Sequence, residues 1–346
     1  MKIRNLFSFS SQKSTNTCEG IQNTSSAQKN PKRDLQSEYI LKKLLGKGGF
    51  GRVFSAVRIC DGLEVAVKEV LKDTRYQNDN KSKTDIPTEV ALMQQVEDIE
   101  GVIKILDYID DTESYYIVME KINSKDLFDF ITDQGPLPEN FARGMFSDIV
   151  QTVIQCRDSG VLHRDIKDEN ILVDMKTYNI KLIDFGSGCE HNYHEDPDKV
   201  FKEFRGTRVY SPPEWILDGE YQADKLTVWS LGILLYDMLC GDIPYTTDQE
   251  ICSGNLLWPS QHSLSPSARD LIARCLTVDH RKRISLDSLL SHSFFNQHQL
   301  QLSPSSSSIM STSPTTSTTS TSTESSSPMI TDSPLTSGHS LIVMTV

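Results

Sequence analysis

The sequence has little of what marks a secreted, membrane-spanning or nucleic-acid-binding protein. Its seven cysteines are odd in number, scattered and without any C-x-x-C spacing, which predicts free thiols in a reducing compartment. No apolar run approaches the roughly 20 residues of a membrane-spanning helix, and no signal-peptide core follows Met1-Lys2-Ile3-Arg4. We therefore expect a cytoplasmic protein, with nuclear entry left open, and no membrane partner.

Basic residues are also comparatively scarce. The chain has 47 acidic and 35 basic residues, which gives a formal net charge of -12 at pH 7. An acidic chain repels the phosphate backbone, so the balance disfavours nucleic acid as a partner and favours basic ligands.

Both ends of the chain lack hydrophobic periodicity. Residues 1–37 are polar and residues 298–346 are rich in serine and threonine, so we predict two disordered tails around one folded domain at 38–297. Within that domain, strand patterns and a single helix come first, and mostly helical patterns follow after residues 121–125, with one helix beginning near Pro138. This order favours an α+β fold.

The segment His163-Arg-Asp165-Ile-Lys167-Asp-Glu-Asn170 concentrates charged and amide side chains between apolar flanks. Such a pattern suits a loop held rigidly on core residues so that its polar side chains converge. Charged turns between apolar runs are common, however, and this segment alone leaves catalysis and a plain turn about equally favoured.

The glycines Gly46-x-Gly48-x-x-Gly51 lie between two predicted strands. A strand-to-helix context would suggest a Rossmann fold, and a following G-K-[ST] would suggest a P-loop; neither is present. Glycines allow a polyphosphate to approach the backbone closely. They are also expected in any hairpin turn, so this signal is weak by itself.

Two further elements point to phosphate chemistry. Lys68 lies in an apolar strand, where its charge needs a partner, and Glu89 on the following helix is the natural one; the alternative is an edge lysine that reaches solvent. Asp184-Phe-Gly186 follows the predicted strand Ile180–Ile183 and resembles an ordinary turn when taken alone. Together with Asn170, Asp184 supplies hard oxygen ligands for Mg²⁺.

In combination, these elements predict phosphoryl transfer, which depends on positioning and charge neutralisation. Lys68, paired with Glu89, would contact phosphate oxygens, and Asp165 would accept or orient the proton of the incoming hydroxyl. Lys167 would offset charge on the transferring group. We expect His163 to pack and form hydrogen bonds, because no step requires it to titrate.

Residues 38 to 297 resemble eukaryotic protein kinases, and more closely the PIM serine/threonine kinases. The resemblance rests on the motifs above in their expected order and on further long matches, notably Gly206-Thr-Arg-Val-Tyr-Ser-Pro-Pro-Glu-Trp215. It implies a bilobal fold, with a five-stranded antiparallel sheet and one helix in an N-lobe at 38–121 and a mainly α C-lobe at 122–297. It also implies a structural salt bridge between Glu214 and Arg283 within the C-lobe.

The same resemblance implies where ATP binds. The glycines would cover its phosphates, Asp126 would contact the ribose, and the adenine would lie in an apolar slot near the hinge between the lobes. That slot would comprise Leu45, Val53, Ala66, Leu172, the gatekeeper Met119, the Glu120 carbonyl and the Ile122 N–H.

The hinge departs from the family pattern. PIM kinases have one extra residue and a proline there, whereas Glu120-Lys-Ile122-Asn-Ser-Lys-Asp126 is shorter and has no proline. Ile122 keeps the backbone N–H that proline lacks. We therefore expect a second hinge hydrogen bond to adenine.

The activation segment also lacks the usual phosphate acceptors. No serine or threonine lies between Gly188 and Gly206, although Arg164 precedes Asp165 in a pattern that often binds an activating phosphate. One hypothesis is that a fixed carboxylate, Glu203, replaces the phosphate and keeps the enzyme active as synthesised. A solvated acidic loop is the alternative.

By resemblance, acidic side chains surround the substrate site, with Thr207 beside the phosphorylated residue. The positions are Asp126, Asp129, Glu169, Asp237 and Asp242. We expect a monomeric serine/threonine kinase that acts on protein segments rich in arginine. The rival hypothesis, a pseudokinase scaffold, is disfavoured because the catalytic positions are intact.

Overall fold

The computed structural model describes residues 33–48, 51–72, 86–259 and 264–296. Its N-terminal part contains a five-stranded antiparallel sheet with strand order β1-β2-β3-β5-β4. The elements are α1 (Leu35–Glu38), β1 (Tyr39–Gly48), β2 (Gly51–Arg58), β3 (Glu64–Leu71), α2 (Thr88–Gln95), β4 (Ile105–Asp110) and β5 (Ser114–Glu120). The predicted sheet and single large helix of the N-lobe are confirmed.

Strand register decides which side chains face the cleft. Val53 is paired with Lys68, and Ala66 with Met119, so these four residues share one face of the sheet. The alternate residues Val65 and Val67 face the other side. There they form a small core with residues of the neighbouring strands and of α1, namely Leu35, Tyr39, Ala56, Ile109 and Val118.

The folded domain begins at an earlier residue than the sequence predicted. Residues 35–38 form α1, whose N-cap Asp34 accepts a hydrogen bond from Gln36 N, and Leu35 is buried. Arg33 donates to both Glu38 and Asp107. The predicted disorder is therefore wrong for residues 33–37, because a buried leucine and an arginine between two carboxylates attach them to the sheet. The rest of that predicted tail, and the one at 298–346, lie outside the described residues.

The C-terminal part is mainly helical, as predicted. Its elements are β6 (Ser124–Asp126), α3 (Leu127–Gln134), α4 (Glu139–Asp158), β7 (Val161–Leu162), β8 (Ile171–Asp174), β9 (Ile180–Leu182), β10 (Cys189–Glu190), β11 (Val200–Phe201), α5 (Pro213–Asp218), β12 (Tyr221–Gln222), α6 (Ala223–Cys240), α7 (Asp248–Ser253) and α8 (Pro266–Cys275). Four short 3₁₀ helices complete the described part of the chain, at Asp168–Asn170, Phe185–Ser187, Arg208–Tyr210 and Leu286–Ser291.

Helix α6 forms the centre of this lobe. Its side chains are apolar around most of its circumference, and Trp229 is fully buried. This pattern is typical of a helix that is surrounded by other elements. Arg283 and Glu214 make a bidentate ion pair beside it, with both N–O distances 2.8 Å. This pair, predicted from the sequence, joins the chain after α8 to α5. No helix of the described residues is long and apolar enough to cross a membrane.

Candidate active site

The loop between β7 and β8 holds Asp165 in a defined orientation. Asn170 Nδ2 donates to the Asp165 carbonyl at 2.8 Å and to Asp165 Oδ2 at 3.1 Å. The backbone N–H of Thr207 donates to Asp165 Oδ1 at 2.7 Å. Because each carboxylate oxygen accepts a hydrogen bond, the buried side chain is fixed before any substrate arrives.

His163 supports this loop and stays neutral. Its Nδ1 accepts from Asp165 N at 3.3 Å, so the ring proton is on Nε2, which donates to the Ile183 carbonyl at 2.9 Å. Complete burial lowers the pKa of His163. The predicted packing role is confirmed.

Lys68 lies between two carboxylates. Its Nζ is 2.5 Å from Glu89 Oε1 and 2.9 Å from Asp184 Oδ1, and Lys68 and Glu89 are both buried. Burial alone would lower the pKa of Lys68, but Glu89 and Asp184 together raise it, so the ammonium stays charged. Burial alone would raise the pKa of Asp184, but Lys68 and the hydrogen bond from Gly186 N lower it below its ordinary value. The pair predicted between β3 and α2 is therefore formed, and Asp184 joins it.

Asp184 and Asn170 are brought together by the backbone. Ile183 N donates to the Asn170 carbonyl at 3.0 Å, and Asp184 adopts a left-handed conformation with φ of +64°. Among the described residues, Lys68 and Gly186 N both bond to Asp184 Oδ1, and Asn170 bonds through Nδ2. One carboxylate oxygen and one amide oxygen thus remain, a donor set that suits Mg²⁺ completed by phosphate oxygens and water.

The glycines predicted to cover phosphate fall into two classes. A Cβ at Gly51, where φ is +132°, would lie 2.0 Å from the Glu69 carbonyl oxygen, so the fold itself requires glycine there. At Gly46 and Gly48 a Cβ would meet nothing within 4 Å. The protein does not demand glycine at these two positions, which is consistent with close approach by a ligand.

The predicted adenine slot is assembled along the sheet face and the hinge. Val53, Ala66 and Met119 face the cleft, and half-exposed Leu45 lies on β1 beside Gly46. In the C-lobe, Asp126 in β6 is paired with Leu172 in β8. Leu172 therefore lies next to the end of the hinge.

The hinge itself is anchored on both sides. Glu120 Oε1 accepts from Lys104 N at 3.0 Å, and the Asn123 carbonyl accepts from Met175 N at 2.9 Å. Ile122 lies half-buried between these two anchors.

A protein-family comparison matches the description "Protein kinase domain" over residues 39–295. The chain belongs to the protein kinase family. It is 44% identical over 277 residues to serine/threonine-protein kinase pim-2 of Danio rerio, a match that covers 76% of this chain and 86% of that protein. Serine/threonine-protein kinase prk-2 of Caenorhabditis elegans is 40% identical over 269 residues, which cover 77% of this chain and 60% of the relative.

A plant relative is more distant. A SNF1-related protein kinase catalytic subunit of Arabidopsis thaliana is 34% identical over 270 residues, covering 75% of this chain and 52% of that protein. Taken together, these matches identify a PIM-like serine/threonine protein kinase that uses ATP and acts on proteins.

One cleft of the kinase gathers most of the residues predicted to bind substrate. Its lining includes Lys167, Glu169, Thr207, Asp237 and Asp242. Lys167 Nζ contacts Glu169 and lies 4.0 Å from Asp165 Oδ2, which places the cleft next to the residue predicted to accept or orient the substrate proton.

Two other acids predicted to bind substrate lie at the start of α3, beside this cleft. Asp126 caps the helix by accepting from Asp129 N at 2.7 Å, and Phe128 between them lines the cleft. One oxygen of Asp126 is therefore already engaged.

Sequence reasoning overlooked Asp168. It lies in the same cleft, is buried, and accepts a hydrogen bond from Tyr210 Oη at 3.2 Å. Burial and the Asp168 carboxylate raise the pKa of the neighbouring Asp237 to about 8. Asp237 Oδ2 is buried and has no hydrogen-bond partner among the described residues. The two acids are 69 positions apart, so no local pattern could have paired them.

The predicted contact between Glu203 and Arg164 is absent. Glu203 is exposed and pairs with Arg205 at 3.3 Å, while Arg164 donates to the carbonyls of Ser187 and Gly188 at 2.8 and 3.2 Å. The Arg164 guanidinium carbon also lies 5.6 Å from the centroid of the Phe201 ring. The hypothesis about Glu203 is wrong because carbonyl groups and an aromatic face, rather than a carboxylate, surround the arginine.

Proposed function

We propose that this kinase transfers the γ-phosphoryl group of Mg-ATP to serine and threonine hydroxyls in arginine-rich protein segments, without needing phosphorylation of its own activation segment. The observation that carries this proposal is the arrangement around His163, where Asp165 and Asn170 meet Asp184 and its partner Lys68. The same cluster opens onto an acidic cleft.

Each group has a chemical role in this proposal. Asp165, fixed by Asn170 and Thr207, accepts or orients the proton of the substrate hydroxyl. Lys68 binds phosphate oxygens, and Lys167 offsets the charge on the group in transfer. Asn170 and Asp184 would hold Mg²⁺, which when bound neutralises charge on the phosphate oxygens.

The preference for arginine is supported by the charge of the cleft. Glu169 and Asp242 line this space, and buried Asp237, which holds a proton in the free protein, adds an unpaired oxygen that can accept a hydrogen bond. A guanidinium with charge-assisted hydrogen bonds to such acids gains about 1.5–3 kcal/mol per bond, and less at the exposed rim. By resemblance to PIM kinases, Thr246 replaces an acid of the substrate site, so we expect a weaker preference for the outermost arginine of the substrate.

Activity without phosphorylation is supported by the surroundings of Arg164. Its guanidinium already has two carbonyl acceptors and an aromatic face. Further contacts order the activation segment: Ser187 Oγ donates to the Arg205 carbonyl at 2.7 Å, which joins the two ends of the segment, and β11 pairs with β12. A phosphate is therefore not needed to give this arginine a partner.

A positional-scanning peptide library with phosphatase-treated enzyme tests the proposal. We expect label in serine and threonine peptides that carry upstream arginines, and none from Asp165→Asn or Lys68→Met. A preference for acidic or proline-directed peptides would contradict the substrate class. Loss of activity after phosphatase treatment would contradict independence from phosphorylation. ATP binding without transfer would favour the pseudokinase scaffold.

We also propose a monomeric, cytoplasmic kinase. The free thiols of the six described cysteines support a reducing compartment. Sedimentation velocity and imaging of the tagged full chain test these two points; a stable dimer or an exclusively nuclear signal would contradict them.

A further inference from the structure

A buried arginine of the C-lobe is surrounded by carboxylates. Arg157, in the last turn of α4, is 5% exposed. Its guanidinium lies 3.2 Å from Asp224, 2.7 Å from Asp287 and 2.8 Å from Asp158. We call these four residues the Arg157 cluster. One cation faces three anions, so the cluster is net negative.

The activation segment reaches this cluster through Tyr193. The guanidinium carbon of Arg157 lies 4.5 Å from the centroid of the Tyr193 ring, within the range of a cation–π contact. The Tyr193 hydroxyl interacts with Asp224. Tyr193 therefore connects the stretch between β10 and β11 to α4 and to the first turn of α6.

Tyr193 is also the only hydroxyl-bearing residue between Gly188 and Gly206. The residues on either side of it, Asn192 and His194, are exposed, and Tyr193 itself is partly exposed. Nearby acids, Glu195 and Asp196 among them, give it the surroundings of a substrate for a tyrosine kinase that prefers acidic flanks.

We propose that Tyr193 is a phosphorylation site and that its phosphorylation lowers kinase activity by displacing the activation segment from the Arg157 cluster. This inference rests on the proposed function, because it concerns the regulation of the same active site. A protein tyrosine kinase supplies the step. The Tyr193 oxygen forms a bond to the γ-phosphorus of ATP, the bond from that phosphorus to the β–γ bridging oxygen breaks, ADP leaves, and the hydroxyl proton passes to the tyrosine kinase's base.

Charge determines the direction of the effect. A phosphate group carries about -1.5 to -2 at pH 7, and here it would lie beside Asp224 and Asp287. Burial and Asp224 already raise the pKa of Tyr193 to about 12, in line with the carboxylates that surround Arg157 next to its ring. Arg157 cannot compensate, since its charge is shared among three carboxylates. The phosphate at Tyr193 is thus expected to lower activity, whereas a phosphate that binds an arginine without a counter-charge would stabilise the active segment.

The experiment uses the full chain with phosphotyrosine incorporated at position 193 during translation. Its kcat and KM for a serine peptide with upstream arginines are compared with those of wild type and Tyr193→Phe. We expect Tyr193→Phe to stay within about two-fold of wild type, because its ring still covers Arg157. We expect phosphorylation to lower kcat/KM by about five-fold or more, which corresponds to at least about 1 kcal/mol of lost transition-state stabilisation.

A rescue variant separates charge repulsion from simple damage to the fold. Asp287 is exposed, so Asp287→Asn should fold. The substitution removes one negative charge that would face the phosphate. In that background, phosphorylation should cost clearly less activity. An equal loss in both backgrounds, or no loss in either, would overturn the inference.

Hydrogen–deuterium exchange provides a readout independent of activity. Phosphorylation should increase exchange in residues 190–200, and less so in Asp287→Asn. If unphosphorylated wild type proves inactive, the proposed function fails, while the exchange experiment still decides whether the phosphate displaces the segment. Unchanged exchange would overturn the displacement.

Discussion

Arg164 covers the ring of Phe201, with 5.6 Å between the guanidinium carbon and the ring centroid. Phe201 in turn stacks on Tyr221, whose hydroxyl donates to the Glu203 carbonyl at 3.0 Å. The end of the activation segment is thus held by aromatic packing around an arginine.

Phe201→Ala should lower the activity of unphosphorylated kinase, because Arg164 loses its aromatic partner. A cation–π contact contributes about 0.5–2 kcal/mol, so we expect kcat/KM for peptide to fall several-fold. Glu203→Gln is the matched control and should behave like wild type, since the Glu203 side chain is exposed. The reverse pattern would restore the carboxylate hypothesis.

Ile122→Pro should weaken ATP binding. Proline removes the backbone N–H predicted to face adenine, and one hydrogen bond contributes about 0.5–1.5 kcal/mol, or several-fold in affinity. Calorimetric titration with a non-hydrolysable ATP analogue measures this, and Ile122→Val, which keeps the N–H, is the control. Equal affinity in wild type and Ile122→Pro would refute a second hinge bond.

Alanine at Gly46 and at Gly51 should have different effects. Gly51→Ala places a Cβ 2.0 Å from a carbonyl oxygen at positive φ, so it should reduce the free energy of unfolding by more than about 1 kcal/mol. Gly46→Ala meets no protein atom within 4 Å and should keep its stability to within about 0.5 kcal/mol while KM for ATP rises. Urea unfolding and ATP titration of both variants make the test; unchanged KM in Gly46→Ala would argue against phosphate approach there.

Asp237 should make stability fall as pH rises. Burial and the Asp168 carboxylate raise its pKa from 3.8 to about 8, so between these values the folded state holds a proton that the unfolded chain has lost. Because the folded state binds more protons in that window, unfolding becomes easier with increasing pH, by up to about 1.4 kcal/mol per unit of pH.

Urea midpoints between pH 5 and pH 8 measure this dependence. Asp237→Asn should flatten the slope, whereas exposed Asp218→Asn should leave it as in wild type. The same slope in Asp237→Asn would show that Asp237 ionises normally.

Glu214→Gln should be strongly destabilising. It leaves the buried guanidinium of Arg283 without its counter-charge, a change that typically costs about 3–5 kcal/mol. Arg281→Gln breaks only an exposed pair with Asp279 and should cost under about 1 kcal/mol. Thermal or urea unfolding distinguishes the two; similar losses would mean that burial does not govern these pairs.

Sequence reasoning succeeded where a contact belongs to a recurrent motif. The pair between Lys68 and Glu89 followed from a cation in an apolar strand and an acid on the next helix, and neutral His163 from the lack of a chemical role. The order of strands and helices was also predictable, because hydrophobic spacing is a local property of the chain.

It failed where side-chain direction depends on distant packing. Glu203 was placed at Arg164 from charge alone, yet the aromatic contacts of β11 with β12 decide which residue approaches that arginine. The pairing of Asp168 with Asp237 likewise required the folded lobe. Short helices such as α5 and α7 were missed, since each presents fewer than two turns of periodic pattern.

The contacts of Arg33 bear on where this kinase can be shortened. The matched family region starts at residue 39, but Arg33 connects Glu38 to Asp107, 74 positions downstream, and Leu35 fills part of the small core under the sheet. A fragment that starts at residue 39 would lose Leu35, which exposes apolar strand surface, and would leave Asp107 without its guanidinium partner. Fragments of this catalytic domain that are made for expression should therefore begin upstream of Arg33.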